Sequence, residues 1–263
     1  MYTTQDHTGK LLTIASPPIR IISLVPSITE LLYNLDLNER VIGITKFCVH
    51  PDKWFRTKIR VGGTKNISIE KIQQLQPDLI IANKEENVKE QIEELEMICP
   101  VFTTVVDSVA SGIQMIRDIG NITDAEKQAN KIADQIIQNL KNAEPDRQIN
   151  TLYLIWKEPY MAAGGDTFIS DMMRYAGFKN ALEKLTRYPN LTEDDIRKYN
   201  PELILLSSEP YPFKEKHIQE LQEICPDANI MLVDGEMFSW YGSRMLYAGE
   251  YFNILRKKGL RCN

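Results

Sequence analysis

The stretch NISIEKIQQLQPDLII (residues 66–81) returns as NLTEDDIRKYNPELIL (residues 190–205), and the two align without a gap. Asn66, Ile72, Pro77, Leu79 and Ile80 meet Asn190, Ile196, Pro201, Leu203 and Ile204, while Ser68 faces Thr192, Glu70 faces Asp194 and Asp78 faces Glu202. Further on, QIEELEMICP (residues 91–100) is echoed by HIQELQEICP (residues 217–226). Two matches in the same order at nearly the same offset read as one structural unit used twice: a helix, a proline, a buried strand, then an amphipathic helix. A chain of 263 residues holds one large domain or two of roughly 100–150 residues, and the repeat favours two. Its period is far longer than the roughly 20–50 residues of a solenoid.

Working outward from the repeat, short apolar runs alternate with helical patterns. IRIISLV, RVIGIT, DLIIA and VFTTVV predict strands in the first half, and TLYLIW, ELILLS and NIMLVD in the second. Between them PSITELLYNL, SIEKIQQLQ, NVKEQIEELEMI, FISDMMRYAG, KEKHIQELQEI and SRMLYAGEYFNILRKK predict helices. Strand–helix alternation implies parallel sheets covered by helices. Ser27 and Glu30 have capping-box spacing. So have Thr123 and Glu126, ahead of a stripe of Ala125, Ala129, Ile132, Ala133, Ile136, Ile137 and Leu140 that Pro145 closes. The expected fold is α/β: an N-terminal lobe over 1–121, one long connecting helix over 122–146, and a C-terminal lobe over 147–263.

Composition is that of a globular protein, with 43% hydrophobic and 25% charged residues. A net charge of −5 argues against a general nucleic-acid binder, which needs a basic footprint. No apolar run reaches the length of a membrane span. The first twenty residues lack a secretory pattern, so the chain as written is expected in the cytoplasm, or in the periplasm or at the surface if a signal was removed. Cys48, Cys99, Cys225 and Cys262 show no zinc spacing, and Cys99 and Cys225 hold equivalent places in the repeat.

Ligands of open α/β sheets bind beyond the carboxyl ends of the strands. The loops there carry Phe47, Trp54, Phe55, Tyr160, Tyr188, Phe238, Trp240 and Tyr241, a set suited to a large, flat, partly apolar ligand or to packing loops on sheets. FCVHP has two readings: Cys48 and His50 as metal ligands, His50 axial to a haem or corrinoid metal, or a buried thiol and a loop histidine. VGGTKN and AAGGDT either offer backbone N–H groups to an anion or make plain turns. His7 and His217 are expected at the surface. No catalytic signature is visible, and no intrinsic cofactor is implied. Glu70 and Asp194, near the starts of the two repeat helices, complement the helix dipole or meet a basic partner.

RIISLVPSITELLYNLDLNERVIGIT, VGGTKNISIEKIQQLQPDLIIA and the central helix resemble the helical-backbone substrate-binding proteins of ABC importers, over about residues 19–255. The cobalamin-binding subgroup is the most similar. The resemblance implies two Rossmann-like lobes joined by one helix, with the ligand in a cleft between them: cobalamin or another corrinoid, haem, or a ferric siderophore. It implies ligand contacts from Pro26, Ser27, Phe47, Gly164, Tyr188, Glu236 and Trp240, with Thr64 where the B12 receptor has a tryptophan. Cys48, His50, Trp54, Tyr241 and Arg244 lie in the same loops. Glu70 and Asp194 match two acids that dock to arginines of the permease dimer. The alternative is a cytoplasmic enzyme or cofactor-handling protein on the same scaffold, using Cys48 or His50.

Overall fold

Each copy of the repeat folds into a seven-residue helix that stops on a left-handed residue, passes a buried proline and enters a five-residue strand. In the computed structural model, which describes residues 2–14, 17–141 and 148–259, the described residues form two units. One is built from residues within 1–106, 110–135 and 241–244, the other from residues within 107–109, 136–240 and 245–263.

The first unit begins with a hairpin, β1 (Tyr2–Gln5) and β2 (Leu11–Ile14). There follow β3 (Ile21–Ser23), α1 (Pro26–Asn34), β4 (Val41–Ile44), α2 (Asp52–Thr57), β5 (Ile59–Arg60), α3 (Ile69–Leu75), β6 (Leu79–Asn83), α4 (Lys89–Leu95), β7 (Val101–Thr104) and α5 (Val109–Ile122). The sheet is parallel throughout, in the order β5-β4-β3-β6-β7. Every residue of β3, β6 and β7 is buried, as expected of strands covered on both faces. The hairpin reaches β7 through His7, whose N–H donates to Thr103 O and whose ring nitrogen stands 3.0 Å from Asp118 Oδ2. That carboxylate raises His7 above its ordinary pKa.

α6 (Glu126–Lys141) carries the chain from one unit to the other, the division falling between Gln135 and Ile136. Ala129, Ile132, Ala133, Ile136 and Leu140 are buried, whereas Ile137 is exposed. Thr123 does not cap α6. Its hydroxyl donates back to Ile119 O at 2.6 Å, finishing α5, and α5 itself is a helix the strand–helix reading omits. Pro145 lies outside the described residues, as does Cys262.

The second unit contains β8 (Ile149–Trp156), β9 (Tyr160–Ala162), α7 (Phe168–Tyr175), β10 (Phe178–Asn180), β11 (Asn190–Leu191), α8 (Glu193–Tyr199), β12 (Leu203–Ser207), α9 (Glu215–Ile224), β13 (Asn229–Val233), α10 (Glu236–Ser239) and α11 (Met245–Gly259). β10, β8, β12 and β13 pair in parallel. β9 is antiparallel to β8 and β11 to β9, so this sheet is mixed at one side rather than wholly parallel.

α3 and α8 make the repeat physical. Gln76 (φ 47°) and Asn200 (φ 44°) are their left-handed C-caps, and Ile72 and Ile196 point inward with no exposure. In the first copy, Asp78 accepts the N–H groups of Ile19 and Arg20 at 2.7 and 2.9 Å and returns its own N–H to Arg20 O. The Arg20 guanidinium donates to the carbonyl of Gln76 at 2.9 Å. In the second copy, Glu202 accepts Asn150 N–H at 3.1 Å and donates to Asn150 O, while the Asn150 amide donates to Tyr199 O and Asn200 O. A side chain at the start of the neighbouring strand, or just before it, thus satisfies carbonyls that a helix end leaves open. His217 is buried, against the surface placement expected of it. Its Nδ1 accepts Lys214 N–H at the start of α9, and its ring packs on Tyr211 and Phe213.

Left-handed backbone costs a residue with a Cβ about 1–2 kcal/mol, less for asparagine. Gln76→Gly is therefore expected to raise the stability of the protein by about 1 kcal/mol in chemical denaturation, and Asn200→Gly by less. Equal effects, or a larger gain for Asn200→Gly, would overturn this ranking of the two caps.

Candidate functional site

In the first unit, the chain leaves β3 straight into α1. Pro26 occupies the first helical position, where a missing N–H costs nothing. Val25 precedes it with no side-chain cap, so Ser27 and Glu30 do not form the expected capping box. Ser27 is buried in the first turn. Glu30 instead meets Arg244, Nε to Oε2 at 3.0 Å and a terminal nitrogen to Oε1 at 2.8 Å. The two side chains are only 13% and 12% exposed, and the pair holds residues 241–244 against α1 together with Asn34, which donates to Ser243 Oγ at 2.9 Å. Arg244 was expected among ligand contacts. Its guanidinium is held within the unit instead.

The loop after β4 separates into outward and inward residues. Phe47 is half exposed, with Lys46 Nζ 5.0 Å above its ring, and Val49 is also exposed. His50 is half-buried. Cys48 has no exposure; Thr29 Oγ1 lies 3.0 Å and Thr45 Oγ1 3.1 Å from its sulfur. Burial pushes its thiol pKa up, the reverse of what a nucleophile or thiolate ligand needs. Trp54, on α2, is wholly buried, edge-on to Tyr33, with its indole N–H on Asn38 Oδ1 at 2.6 Å. Cys48 and Trp54 therefore belong to the interior of the unit and not to a ligand surface. The Thr64 side chain is nearly buried, and its carbonyl accepts the Asn87 amide at 3.0 Å.

In the second unit, Gly164 and Gly165 donate their N–H groups to Arg187 O and Leu185 O at 2.8 and 2.7 Å. A Cβ on either would fall within 2.6 Å of the 183–187 backbone. These amides are engaged in a close backbone crossing, and the turn reading holds for AAGGDT. In VGGTKN, Gly63 N–H likewise donates to Asn66 O. Tyr188 is half-buried with the Arg187 guanidinium 5.9 Å from its ring. Glu236 opens α10, and Trp240 follows it. The indole N–H of Trp240 donates to Glu209 Oε1 at 2.9 Å. Tyr241 is buried and falls in the first unit. Glu209 escapes a motif search, yet extending the repeat alignment past β12 finds it at the place Glu85 holds after β6.

Glu70 is exposed in the first turn of α3 and accepts Gln74 at 3.3 Å. Asp194, whose side chain is 94% exposed, sits in the first turn of α8 with Arg197 at 2.7 Å. Thr192 and Asp195 form the capping box of that helix. Among the described residues, no three His, Cys, Asp or Glu side chains are grouped to hold a metal ion.

Residues 21–224 match the family described as periplasmic binding protein. The chain belongs to that family. As a periplasmic binding protein it is 27% identical, over 77% of its length and 68% of the relative's, to the uncharacterized ABC transporter substrate-binding lipoprotein YvrC of Bacillus subtilis. It is 24% identical to the vitamin B12-binding protein of Vibrio campbellii, covering 73% of this chain and 71% of that one. Among solved structures, the periplasmic haem-binding protein HutB of Vibrio cholerae superposes with a TM-score of 0.79 at 19% identity, over 90% of this chain and 98% of that one. The two-lobed α/β fold read from the repeat is thus the family's.

Removing one partner of a buried ion pair costs about 3–5 kcal/mol. Arg244→Met is expected to destabilise the protein by that order, and Arg244→Met with Glu30→Leu by distinctly less. Calorimetric or denaturant unfolding of the three variants checks this. Equal losses in the single and double variants would remove the pair from the account.

Proposed function

We propose that this periplasmic binding protein captures a metal chelate (a corrinoid such as cobalamin, haem, or a ferric siderophore) and delivers it to an ABC permease dimer. The observation that carries this is the family match itself, which runs through strands of both units. It is supported by the names of the relatives, one an ABC transporter substrate-binding lipoprotein and one a vitamin B12-binding protein. The protein then works in the periplasm or anchored at the surface, the second of the two placements, since a receptor must meet its cargo before the membrane does. The burial of Cys48 removes the thiol on which the enzyme reading leaned.

Pro26, Ser27, Phe47, His50, Thr64 and Tyr241 in the first unit are the proposed ligand contacts, with Gly164, Tyr188, Glu236 and Trp240 in the second. His50 is the one proposed axial donor to a metal. Visible-absorption titration of the purified protein with cobalamin, cobinamide, haemin and a ferric siderophore is expected to give a saturable band shift with at least one of them. If His50 is axial, His50→Ala moves the bound-state band; an unmoved band returns His50 to the loop. Silence from all four chelates rejects the reading.

Glu70 and Asp194 are the proposed permease contacts, one from each unit. Exposed pairs contribute about 1 kcal/mol each or less. Glu70→Ala and Asp194→Ala are each expected to lower uptake by a reconstituted permease roughly fivefold, and the double variant by more, with chelate binding unchanged. Undiminished uptake in the double variant rules these acids out as docking residues.

A further inference from the structure

Backbone groups just past the buried strands of a parallel sheet need partners, and in the first unit two asparagines stand among them. Asn83 ends β6 and Asn87 follows it in the loop; they are 2% and 5% exposed. The Asn83 amide donates to Thr104 Oγ1, at the end of β7, at 3.1 Å, and its oxygen accepts the N–H groups of Glu85 and Glu86 at 2.9 and 3.2 Å. Asn87 reaches further. Its oxygen accepts Asn83 N–H at 2.9 Å, while its amide donates to Thr64 O at 3.0 Å and to Leu24 O at 3.4 Å. One carboxamide therefore ties the loop after β6 to the segment after β3 and to the turn before α3, 63 and 23 residues away along the chain.

Both of those segments carry proposed ligand contacts. Leu24 runs through Val25 into Pro26, where α1 begins, and Thr64 is itself one of the contacts. Another rests on the same turn. A Cβ on Gly63 would stand 3.1 Å from the Phe47 ring, so that ring lies against the Gly63 backbone while staying half exposed. We propose that Asn87 is a positioning residue of the chelate site, fixing the spacing of Pro26, Phe47 and Thr64 from beneath the surface that the chelate meets. The inference rests on the chelate-binding function proposed above and deepens it. The physical reason is that a carboxamide both donates and accepts, whereas an ionised carboxylate only accepts. A carboxylate of the same shape would keep the bond from Asn83 N–H but set a negative oxygen against two carbonyl oxygens. Protonated, it would regain one donor, and burial raises the pH at which it does so.

The test compares the wild-type protein with Asn87→Asp by isothermal titration with cyanocobalamin, cobinamide, haemin and ferrichrome, at a temperature where circular dichroism shows both proteins folded. For each chelate that the wild-type protein binds, Asn87→Asp is expected to bind about tenfold more weakly at about pH 8. Taken as a ratio to wild type at the same pH, that deficit is expected to shrink to about threefold or less at about pH 5. Asn87→Ser, shorter and uncharged, is expected to lose about tenfold at both pH values, and it carries the test if Asn87→Asp does not fold. A residue that only supports the fold would lower the unfolding temperature of the variants and leave the affinity of the folded protein as in wild type. That outcome would overturn the proposal, and so would a deficit in Asn87→Asp that acid does not relieve; either leaves the receptor function standing. Failure of the wild-type protein to bind any of the four chelates would instead overturn the chelate-binding function and this inference with it.

Discussion

An acidic side chain just past a proline, hydrogen-bonded to the backbone of the neighbouring strand, is the contact on which both sheets are assembled. Asp78 does this for β3 and Glu202 for β8. Each acid fixes where its own strand begins relative to the next one. In a parallel sheet the hydrogen bonds alone define register weakly when every residue is apolar, and β6 and β12 are buried throughout. A one-residue slip would change which side chains face the helices. The carboxylate opposes such a slip, because it would break the paired hydrogen bonds that Asp78 and Glu202 make where the paired strands begin. The helix before it is held by the same device, through Arg20 in one copy and Asn150 in the other.

With register settled, the strand ends stand at fixed heights and the loops beyond them are free to differ. That is where the two units part company. The first presents Lys46, Phe47, Val49 and His50 after β4, with Cys48 turned inward onto Thr29 and Thr45. The second presents a carboxylate group around Gly235 with Trp240 alongside. The repeated element itself keeps an acid at the same place after its strand, Glu85 in one copy and Glu209 in the other.

Most of the scaffold was legible from the residues, because periodicity and repetition report what backbone geometry demands. The apolar runs became β3, β6, β8 and β12, and the repeat helices ended at equivalent caps. The unread parts have physical causes. α5 carries its apolar residues among glycine, serine and aspartate, which blur its helical stripe. Spacing suggested caps at Ser27 and Thr123, but Pro26 starts α1 without one, and the Thr123 hydroxyl found carbonyls in the turn behind it. Trp54 and His217 were judged by their loop or polar neighbours, yet each ring is buried, with hydrogen bonds to Asn38 and to the Lys214 N–H that the folded chain supplies. Glu209 is one acid among 36 acidic residues, and only its proximity to Gly235 sets it apart.

The short return of residues 241–244 to the first unit bears on synthesis. Glu30 is made long before Arg244, 214 residues apart. Until residue 244 emerges, α1 holds a carboxylate at a site built for an ion pair, with its counter-charge still in the ribosome. The first unit is thus incomplete as a contiguous piece. A chain truncated after the second unit's sheet would lack both α11 and the cation that neutralises α1. The arrival of that arginine, made after the second unit's sheet, is what completes the ion pair of the first unit.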